Sequence, residues 1–459
     1  MKAYLFIDFG STFTKLTLID IEKEEIIATA KSYTTVETDV AEGYHNAYKE
    51  LMSQVTGEID IIKKLACSSA AGGLKIAAIG LVPDLTAEAA KRAALGAGAR
   101  VIKTYSYKMN NHEAEELRDS NADIILLAGG TDGGNTEVIL HNAQMIADFG
   151  ITKPVVVAGN KSSYDDIEKV FKDKVEYRLT ENVMPKLNEI NVNPARETIR
   201  DIFMERITKA KGMTHIEDDI SGILMPTPQA VLKAAEALSL GTPDEDGVGD
   251  LVVVDIGGAT TDIHSIADGA PSKPGVIYRG LEEPLSKRTV EGDLGMRYSS
   301  ESVYEASGLR MIKKYLDVSE YDVEDEFKKR YNHTDLVFTD EKEIKFDEMM
   351  AKICVDISMK RHCGYVEAVY SPLGTMYQQI GKDLTELHLM IGTGGILVNS
   401  EHPQEILKAG LYDNEDLNSL KPRYPEFSVD KRYILSAMGL LTMVDKNMAV
   451  RMMKKYIVI

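Results

Sequence analysis

Two similar segments of the chain combine an aspartate, glycines and hydroxyl side chains. The first runs from Phe6 to Lys15 (FIDFGSTFTK) and the second from Val254 to Asp262 (VDIGGATTD). Each reads as an apolar strand ending in Asp-x-Gly, followed by hydroxyl residues and a second strand. Glycine lets the backbone turn tightly, successive N–H groups in such a turn bind anions, and the aspartate offers oxygen to a hard cation. The pair therefore predicts a site for a polyphosphate with Mg²⁺.

A third segment, from Leu389 to Gly395 (LMIGTGG), is an apolar strand that runs into glycines. Bare backbone there would let a flat base or a ribose approach, although a tight strand–helix turn has the same composition. A single Asp-x-Gly segment is weak evidence because Asp and Gly are common in turns. Two such segments, about half the chain apart and followed by this third one, favour nucleotide binding.

The elements that would position these residues follow from the apolar periodicity. An antiparallel meander is predicted first, then a helix and a strand, at 3–9, 14–20, 25–33, 39–57 and 64–69. From about residue 70 to 215, strands alternate with helices, which indicates an inserted parallel, doubly wound module with strands at 75–81, 99–107, 122–130 and 154–160 and helices at 86–99 and 110–120. A strand and helix at 220–241 precede the second hairpin. Helix and loop are predicted for 297–384, and one helical stretch for 433–456.

The three segments resemble the first phosphate, second phosphate and adenosine motifs of the actin, heat-shock chaperone and sugar kinase superfamily. Residues 225–241 (MPTPQAVLKAAEALSLG) resemble its connecting helix. The resemblance covers residues 1–69 and 220–459 and implies an α/β chain with the actin-like ATPase fold, which is built from duplicated ribonuclease H-like domains. The implied organisation is a first subdomain from 1–69 plus 216–245, an inserted α/β module at 70–215, and a second subdomain at 246–459.

The same resemblance implies roles for individual residues of a Mg-dependent ATPase. Asp8 would organise the Mg²⁺ shell and Asp255 would orient the metal and the attacking water, so both are catalytic and metal-site candidates. The residues implied to bind the phosphates of ATP are Gly10, Ser11, Thr12, Lys15, Gly257, Gly258, Thr260 and Thr261. Those implied to face the adenosine are Gly392, Gly394 and Gly395.

A closer resemblance extends over the full length. It rests on ACSSAAGGLK (66–75), LLAGGTDGGNTE (126–137), VVVAGNK (155–161), TVEGDLGMRYS (289–299) and MIGTGGILVNS (390–400). These segments resemble the L-protein family of the glutamate mutase operon, called MutL or GlmL, which is unrelated to the mismatch-repair protein of similar name. The resemblance implies a reactivating factor that uses ATP to release damaged cobalamin from an adenosylcobalamin-dependent mutase, such as glutamate mutase, as its partner.

Several alternatives stay open at this point. A small-molecule kinase of the same superfamily and a non-enzymatic actin-like scaffold would both use the same loops. A radical-dehydratase activator would need cluster-binding cysteines, and Cys67, Cys354 and Cys363 show no such spacing. In the module, Asp132, Asn135 and Glu137 either extend the nucleotide site or meet the partner mutase, or they only shape a glycine-rich turn before a helix.

One near-match to a cobalamin-binding signature is rejected. The signature is Asp-x-His-x-x-Gly, and Asp262-Ile263-His264 begins a similar run that ends in alanine and overlaps the second phosphate segment. His264 is expected instead to be a half-buried strand histidine.

Composition narrows the class of partner. The chain of 459 residues has a formal net charge of −19, which argues against nucleic acid and anionic membranes as partners. No apolar run approaches the ~20 residues of a transmembrane helix, and Asp8 interrupts the N-terminal apolar run, so no signal peptide is predicted. Three scattered cysteines fit a reducing compartment. The expectation is a cytoplasmic protein, with a homo-oligomer left open.

Overall fold

Four β-sheets organise the part of the chain that this computed structural model describes, which is residues 1–10, 12–34, 40–69, 74–207, 220, 223–335, 338–371 and 374–458. The strands are β1 (Lys2–Phe9), β2 (Phe13–Asp20), β3 (Glu25–Tyr33), β4 (Asp60–Ser68), β5 (Lys75–Gly80), β6 (Arg100–Ser106), β7 (Ile124–Leu127), β8 (Val155–Val157), β9 (Tyr177–Leu179), β10 (Ile223–Pro226), β11 (Leu251–Ile256), β12 (Thr261–Ile266), β13 (Val276–Arg279), β14 (Ser286–Glu291), β15 (Tyr365–Ser371), β16 (Gly374–Ile380), β17 (Leu389–Thr393) and β18 (Glu426–Val429).

The helices connect and cover these strands. They are α1 (Val40–Ser53), α2 (Glu88–Gly96), α3 (Asn111–Asp119), α4 (Glu137–Asp148), α5 (Tyr164–Phe171), α6 (Asn193–Ile207), α7 (Thr227–Leu240), α8 (Ser300–Tyr315), α9 (Val323–Asn332), α10 (Glu341–His362), α11 (Gly395–Asn399), α12 (Pro403–Leu407), α13 (Leu435–Leu441) and α14 (Lys446–Tyr456). Within the described ranges, none of them is both long and apolar enough to cross a bilayer.

The first and second sheets share one strand order. The first runs β10-β4-β1-β2-β3 and the second runs β18-β17-β11-β12-β14. In each, three strands form an antiparallel meander, and the fourth and fifth strands add in parallel beside the first. This repeated order is a duplicated ribonuclease H-like domain. The predicted actin-like ATPase fold is therefore confirmed by the topology itself.

The third sheet belongs to the inserted module. Its order is β6-β5-β7-β8-β9, and all its neighbouring strands are parallel. Helices cover both of its faces, because one apolar cluster includes α2 and α6 residues and another includes α4 and α5 residues. The predicted doubly wound module is confirmed, and β9 is a fifth strand that the sequence did not predict.

The two halves share a core. Because successive side chains of a strand point to opposite faces, Ala3, Leu5 and Ile7 of β1 pack in the cluster that contains α1. Phe6 points to the opposite face. On that face a single cluster joins residues of both sheets to the apolar sides of α7, α13 and α14. The three helices therefore lie between the sheets and fix one half against the other.

Two parts of the predicted architecture are wrong. Residues 365–380 were expected to be helix or loop, but β15 and β16 form an antiparallel hairpin that β13 extends into a small three-stranded sheet. The single helical stretch predicted for 433–456 is divided into α13 and α14, because Asp445 accepts a hydrogen bond from the Met448 N–H (2.9 Å) and starts a new helix.

The domain boundaries stay predictions. Two of them fall close to residues 70–73 and 208–219, which lie outside the described residues together with the glycines of the 66–75 segment.

Candidate functional site

The two turns that carry the predicted phosphate residues lie against each other. Gly10 and Thr12 belong to the turn between β1 and β2, and Gly257 and Gly258 to the turn between β11 and β12. A β-carbon at Gly258 would lie 3.7 Å from the Thr12 hydroxyl oxygen. One turn from each half therefore lies against the other. Ser11 lies outside the described residues.

Both turns close in the same way around a glycine. The Gly10 N–H donates to the carbonyl oxygens of Asp8 (3.0 Å) and Phe13 (3.2 Å), and the Gly257 N–H donates to the Thr260 carbonyl (2.8 Å). A β-carbon at Gly10 would lie 2.5 Å from the Phe13 carbonyl oxygen, which is closer than packed atoms approach. Glycine is thus required at position 10 by the turn itself.

Asp8, at the end of β1, is fixed by four side chains from four elements, including the buried Cys67 thiol of β4, which donates to the same carboxylate oxygen as Thr227 (3.6 Å). Thr227 of α7 donates to one carboxylate oxygen (2.6 Å), Ser436 of α13 donates to the other (3.3 Å), and the Lys15 ammonium lies 3.4 Å from that second oxygen. The carboxylate is buried. Its orientation therefore depends on one helix from the middle of the chain and one near its C-terminal end, and it is held as an acceptor beside Lys15.

Lys15 supplies positive charge between the two predicted aspartates. Its Nζ lies 3.7 Å from the centre of the Tyr433 ring, within cation–π distance. Burial opposes its charged form, but Tyr433, Asp8 and Asp255 together raise the pKa of Lys15 above its ordinary value. The side chain stays protonated at neutral pH. The charges of Asp8 and Asp255 both favour the protonated form of this one ammonium, so both carboxylates belong to its surroundings.

Asp255 stands at the equivalent position at the end of β11. Burial, reinforced by Asp262, raises the pKa of Asp255 to about 7, and Asp8 and Asp430 add to that shift while Lys15 opposes it. Burial also raises the pKa of Asp430. The hydrogen bonds that its carboxylate accepts from two N–H groups at the start of α13 oppose this shift but do not cancel it. More carboxylates than cations meet here. That excess is an environment that a hard cation would relieve.

The donor set fits magnesium bound mainly through water and phosphate. Across the described ranges, no three Asp, Glu, His or Cys side chains lie close enough together to hold a metal by themselves. Mg²⁺ usually keeps several waters and takes one or two carboxylates together with phosphate oxygens. Asp8 and Asp255 could supply those carboxylates.

The hydroxyls of the second turn differ in their surroundings. Thr260 is half-buried and donates to Asp262 (3.1 Å). Thr261 is fully buried and donates to the Leu294 carbonyl (2.8 Å), so its hydroxyl would have to give up that bond to contact a phosphate. In this arrangement Thr260 is the better placed of the two predicted hydroxyl donors.

The three glycines of the third motif lie where β17 meets α11. Gly394 has a φ of 95°, and a β-carbon there would overlap the Ile256 carbonyl oxygen, so this glycine lets the ends of β17 and β11 pack together. A β-carbon at Gly392 would touch the Leu397 and Leu407 side chains. Gly395 alone of the three would place a β-carbon in open space. Packing explains the first two glycines, whereas Gly395 is exposed.

Five residues at this site were not predicted from the sequence: Cys67, Thr227, Asp430, Tyr433 and Ser436. For one of them a signal existed. Asp430 directly follows β18, just as Asp8 and Asp255 lie at the ends of their strands. The others are brought in by the pairing of β4 with β1 and by tertiary packing of α7, of α13 and of the residues just before α13, which no local pattern shows.

The module residues act as turn and cap. Asn135 accepts a hydrogen bond from the Val138 N–H (3.1 Å) at the start of α4. Asp132 accepts from the Lys161 N–H (3.2 Å) and from the amide of the buried Asn182 (2.9 Å). Of the two interpretations left open, this geometry favours a shaped turn before a helix.

The remaining histidine and cysteine predictions can be compared with the structure. His264 is fully buried and not half-buried as expected, because both faces of β12 are covered. Burial lowers the pKa of His264 to about 3. Cys67, Cys354 and Cys363 are buried free thiols, in keeping with their scattered spacing.

Comparison with solved structures gives distant likenesses. Xylulose kinase from Lactobacillus acidophilus is 9% identical, with 100% of this chain and 92% of that chain covered and a TM-score of 0.37. A glycerol dehydratase reactivase is 10% identical, with 97% of this chain and 100% of that chain covered and a TM-score of 0.36. At these scores the assignment of the fold rests on the strand order alone.

Comparison with sequences is more specific. A sequence profile described as MutL protein matches residues 4–457. Protein MutL of Clostridium tetanomorphum is 61% identical over 460 residues, which cover 100% of this chain and 100% of the relative. The similarity therefore includes both facing turns and the inserted module. The chain belongs to the MutL protein family.

Proposed function

We propose that this protein binds and hydrolyses Mg-ATP between the two facing turns and uses that reaction to reactivate an adenosylcobalamin-dependent mutase of the glutamate mutase type. The observation that carries the ATP part is the cluster of Asp8, Lys15 and Asp255 between turns from the two duplicated halves. Opposed anion-binding turns with carboxylates at their bases suit a metal-bound polyphosphate.

The geometry supports a division of work among the chain's own residues. Lys15 and the backbone N–H groups around Gly10 and Gly257 would hold the phosphates, with Ser11, Thr12, Gly258, Thr260 and Thr261 as further contacts. Gly392, Gly394 and Gly395 would border the adenosine. Bound Mg²⁺ would supply charge neutralisation at the β- and γ-phosphates.

Asp255 is the best candidate for orienting the attacking water and accepting its proton. Burial and the neighbouring carboxylates raise the pKa of Asp255, so this carboxyl has a greater affinity for a proton than an ordinary aspartate. Asp8, held by Thr227 and Ser436, would orient the metal shell. Catalysis would then rest on positioning and charge, as in other phosphoryl transfers.

Membership of the MutL family supports the choice of partner, since the mutase role is what the resemblance of the whole chain implies. We further propose that the chain works in the cytoplasm and that its domains correspond to residues 1–69 plus 216–245, 70–215 and 246–459. Closure of the two halves around the nucleotide would couple hydrolysis to the mutase.

The first experiment tests ATP binding and turnover. Calorimetry and phosphate release would be measured on the wild type, on Asp8→Asn and on Asp20→Asn. Asp20 is a matched control because it is a buried carboxylate at the other end of the same hairpin, where it accepts N–H bonds from the following turn. We expect the Asp8 variant alone to lose turnover by about 100-fold. Equal activity in all three proteins would refute the site.

The second experiment tests the partner. The protein and ATP are added to a glutamate mutase that holds an inactive cobalamin, and release of that cobalamin is followed by absorbance after filtration. Release that needs ATP and is lost in Asp8→Asn supports the reactivase. Phosphate transfer to an added metabolite would instead favour the small-molecule kinase, and ATP-dependent pelleting would favour the scaffold.

A further inference from the structure

Arg288 of β14 lies between the second phosphate turn and the inserted module. Its Nε and Nη2 atoms donate to the same carboxylate oxygen of Asp262, at 2.9 and 2.6 Å. Its Nη1 donates to the carbonyl oxygens of Leu95 (3.1 Å) and Ala99 (2.8 Å), which lie at the end of α2 and just before β6 in the module. The side chain is buried. One guanidinium therefore bonds to two separate parts of the molecule.

Asp262 connects this guanidinium to the nucleotide site. Its second oxygen accepts the Thr260 hydroxyl (3.1 Å), and Thr260 belongs to the turn that faces Thr12. Asp262 is also the direct cross-strand partner of Asp255 in the antiparallel pair of β12 with β11. A shift of Asp262 would thus move the second phosphate turn, through its hydrogen bond with Thr260, and also the paired Asp255.

From these contacts we infer that Arg288 is a positioning residue through which the placement of the inserted module and the conformation of the second phosphate turn are coupled. This inference rests on the proposed function, in that it takes the turn to bind nucleotide. A nucleotide that reorients Thr260 or Asp262 would change the bonds of Arg288 to Leu95 and Ala99. By the same route, a partner that moves the module would alter the turn, because coupling between two binding sites is reciprocal.

The coupling is strong because breaking the bonds of Arg288 on either side, to Asp262 or to the module carbonyls, costs free energy. A buried guanidinium that loses its carboxylate or its carbonyl partners leaves unpaired polar groups away from water. The Leu95 carbonyl lies at the negative end of α2, which favours a cation there. The module and the turn are therefore expected to change together.

Hydrogen–deuterium exchange on the full chain tests the inference. We expect a non-hydrolysable ATP analogue with Mg²⁺ to change the exchange rates of amides 95–101 in the wild type by at least about threefold. In Arg288→Gln the analogue should still bind, as measured by calorimetry, but that change in exchange should vanish. Arg288→Lys keeps the positive charge but lacks the planar guanidinium group, and it should restore part of the nucleotide-dependent change in exchange.

Arg92→Gln is the matched control. Arg92 of α2 joins the module to the same neighbouring segment, through the Glu282 carbonyl (2.6 Å) and the Glu283 carboxylate (3.1 Å), but it does not contact Asp262. The exchange response should persist in that variant. If Arg288→Gln proves unstable, the double variant Asp262→Asn with Arg288→Gln removes the bridge without leaving a lone buried charge.

Each outcome decides the matter. A wild-type response that survives loss of Arg288, or that Arg92→Gln abolishes equally, overturns the inference. So does a wild type that binds the analogue without any change at residues 95–101. A wild type that binds no nucleotide at all refutes the proposed function first, and calorimetry separates that result from the others.

Discussion

At the scale of single residues, the site balances charges that would otherwise repel. Lys15 places an ammonium among carboxylates, and it is held over the ring of Tyr433. Tyr433 has a φ of 55°, which a residue with a large side chain adopts only when its surroundings force it. The Asp430 carbonyl accepts the Tyr433 N–H (2.9 Å) and fixes that conformation. Backbone strain is thus located where Lys15 is positioned, as expected of a functional site.

Removing the Lys15 ammonium should weaken nucleotide binding. We expect Lys15→Met to lower the affinity for Mg-ATP by about 10- to 100-fold, because one phosphate-neutralising charge is lost. Calorimetric titration measures this directly. Lys31→Met is the control, since Lys31 is the exposed cross-strand neighbour of Lys15 on β3. An equal loss of affinity in both variants would show that only the overall surface charge matters.

His264 should make the protein sensitive to acid. Burial lowers the pKa of His264 to about 3, so below about pH 6.5 the unfolded chain binds a proton that the folded chain refuses. Stability is fully present above pH 6.5 and is lost as the pH falls toward 3, by up to about 1.4 kcal/mol per pH unit for this group. Urea unfolding of His264→Leu between pH 7.5 and 5.5 should therefore show a flatter dependence on pH than the wild type.

The same substitution should also be tolerated at neutral pH. Within the described part of the chain, neither ring nitrogen of His264 has a hydrogen-bond partner, so replacing the ring with an apolar side chain should raise the free energy of unfolding by about 1 kcal/mol at pH 7.5. His112→Gln, on the exposed side of α3, is the control and should keep the wild-type pH dependence. A His264→Leu protein with an unchanged pH slope would contradict the argument.

At the scale of elements, two adjacent glycines at the end of β17 have different roles, one in packing and the other in the proposed binding of nucleotide. Gly394→Ala should lower the free energy of unfolding by about 2–4 kcal/mol, because its φ is left-handed and a β-carbon would overlap the Ile256 carbonyl. Gly395→Ala should change stability by less than about 0.5 kcal/mol, since its β-carbon would enter open space. Urea unfolding distinguishes the two.

Gly395→Ala should nevertheless affect the nucleotide. If adenosine packs against bare backbone at this position, the added methyl group should weaken ATP binding by about tenfold while leaving folding intact. Wild-type affinity in this variant would remove Gly395 from the adenosine site.

Elements with strong local signals were predictable, and elements defined by their partners were not. The hairpins of β1 with β2 and β11 with β12 follow from an apolar period that breaks at Asp-x-Gly. In contrast, β9 has three residues and is a strand only because β8 provides its pairing partner. The hairpin of β15 and β16 was missed although its Tyr- and Val-rich sequence, interrupted by a proline and a glycine, carried a signal.

The site was predictable to the same extent. Asp8, Asp255 and the turn glycines belong to short motifs, so the sequence was sufficient to nominate them. Thr227 and Ser436 reach Asp8 from distant parts of the chain, because α7 and α13 are packed together in the shared core. Their contribution depends on helix packing, and no local spacing of residues encodes it.

At the scale of the whole molecule, duplication supplies the two facing turns and the shared core controls their spacing. Each half brings one turn, and α7, α13 and α14 between the sheets determine how far apart those turns lie. The module adds a third body, which reaches the second turn through Arg288. Any change in the spacing of the core helices should therefore alter the hydrogen bonds that hold Asp8.

Gly439 offers a test of that dependence. A β-carbon on Gly439 of α13 would overlap the Ala230 carbonyl oxygen of α7, so the two helices approach this closely only because the residue is glycine. Gly439→Ala should push the helices apart and shift Thr227 and Ser436, the two hydroxyl donors to Asp8. We expect a loss of about 1–3 kcal/mol in the free energy of unfolding and a separate loss of about tenfold in ATP affinity in the folded protein. Leu240→Ala, at the exposed end of α7, should change neither. A destabilised Gly439→Ala protein that still binds ATP with wild-type affinity would mean that the Asp8 site tolerates movement of the core helices, and that the cleft is set by the sheets alone.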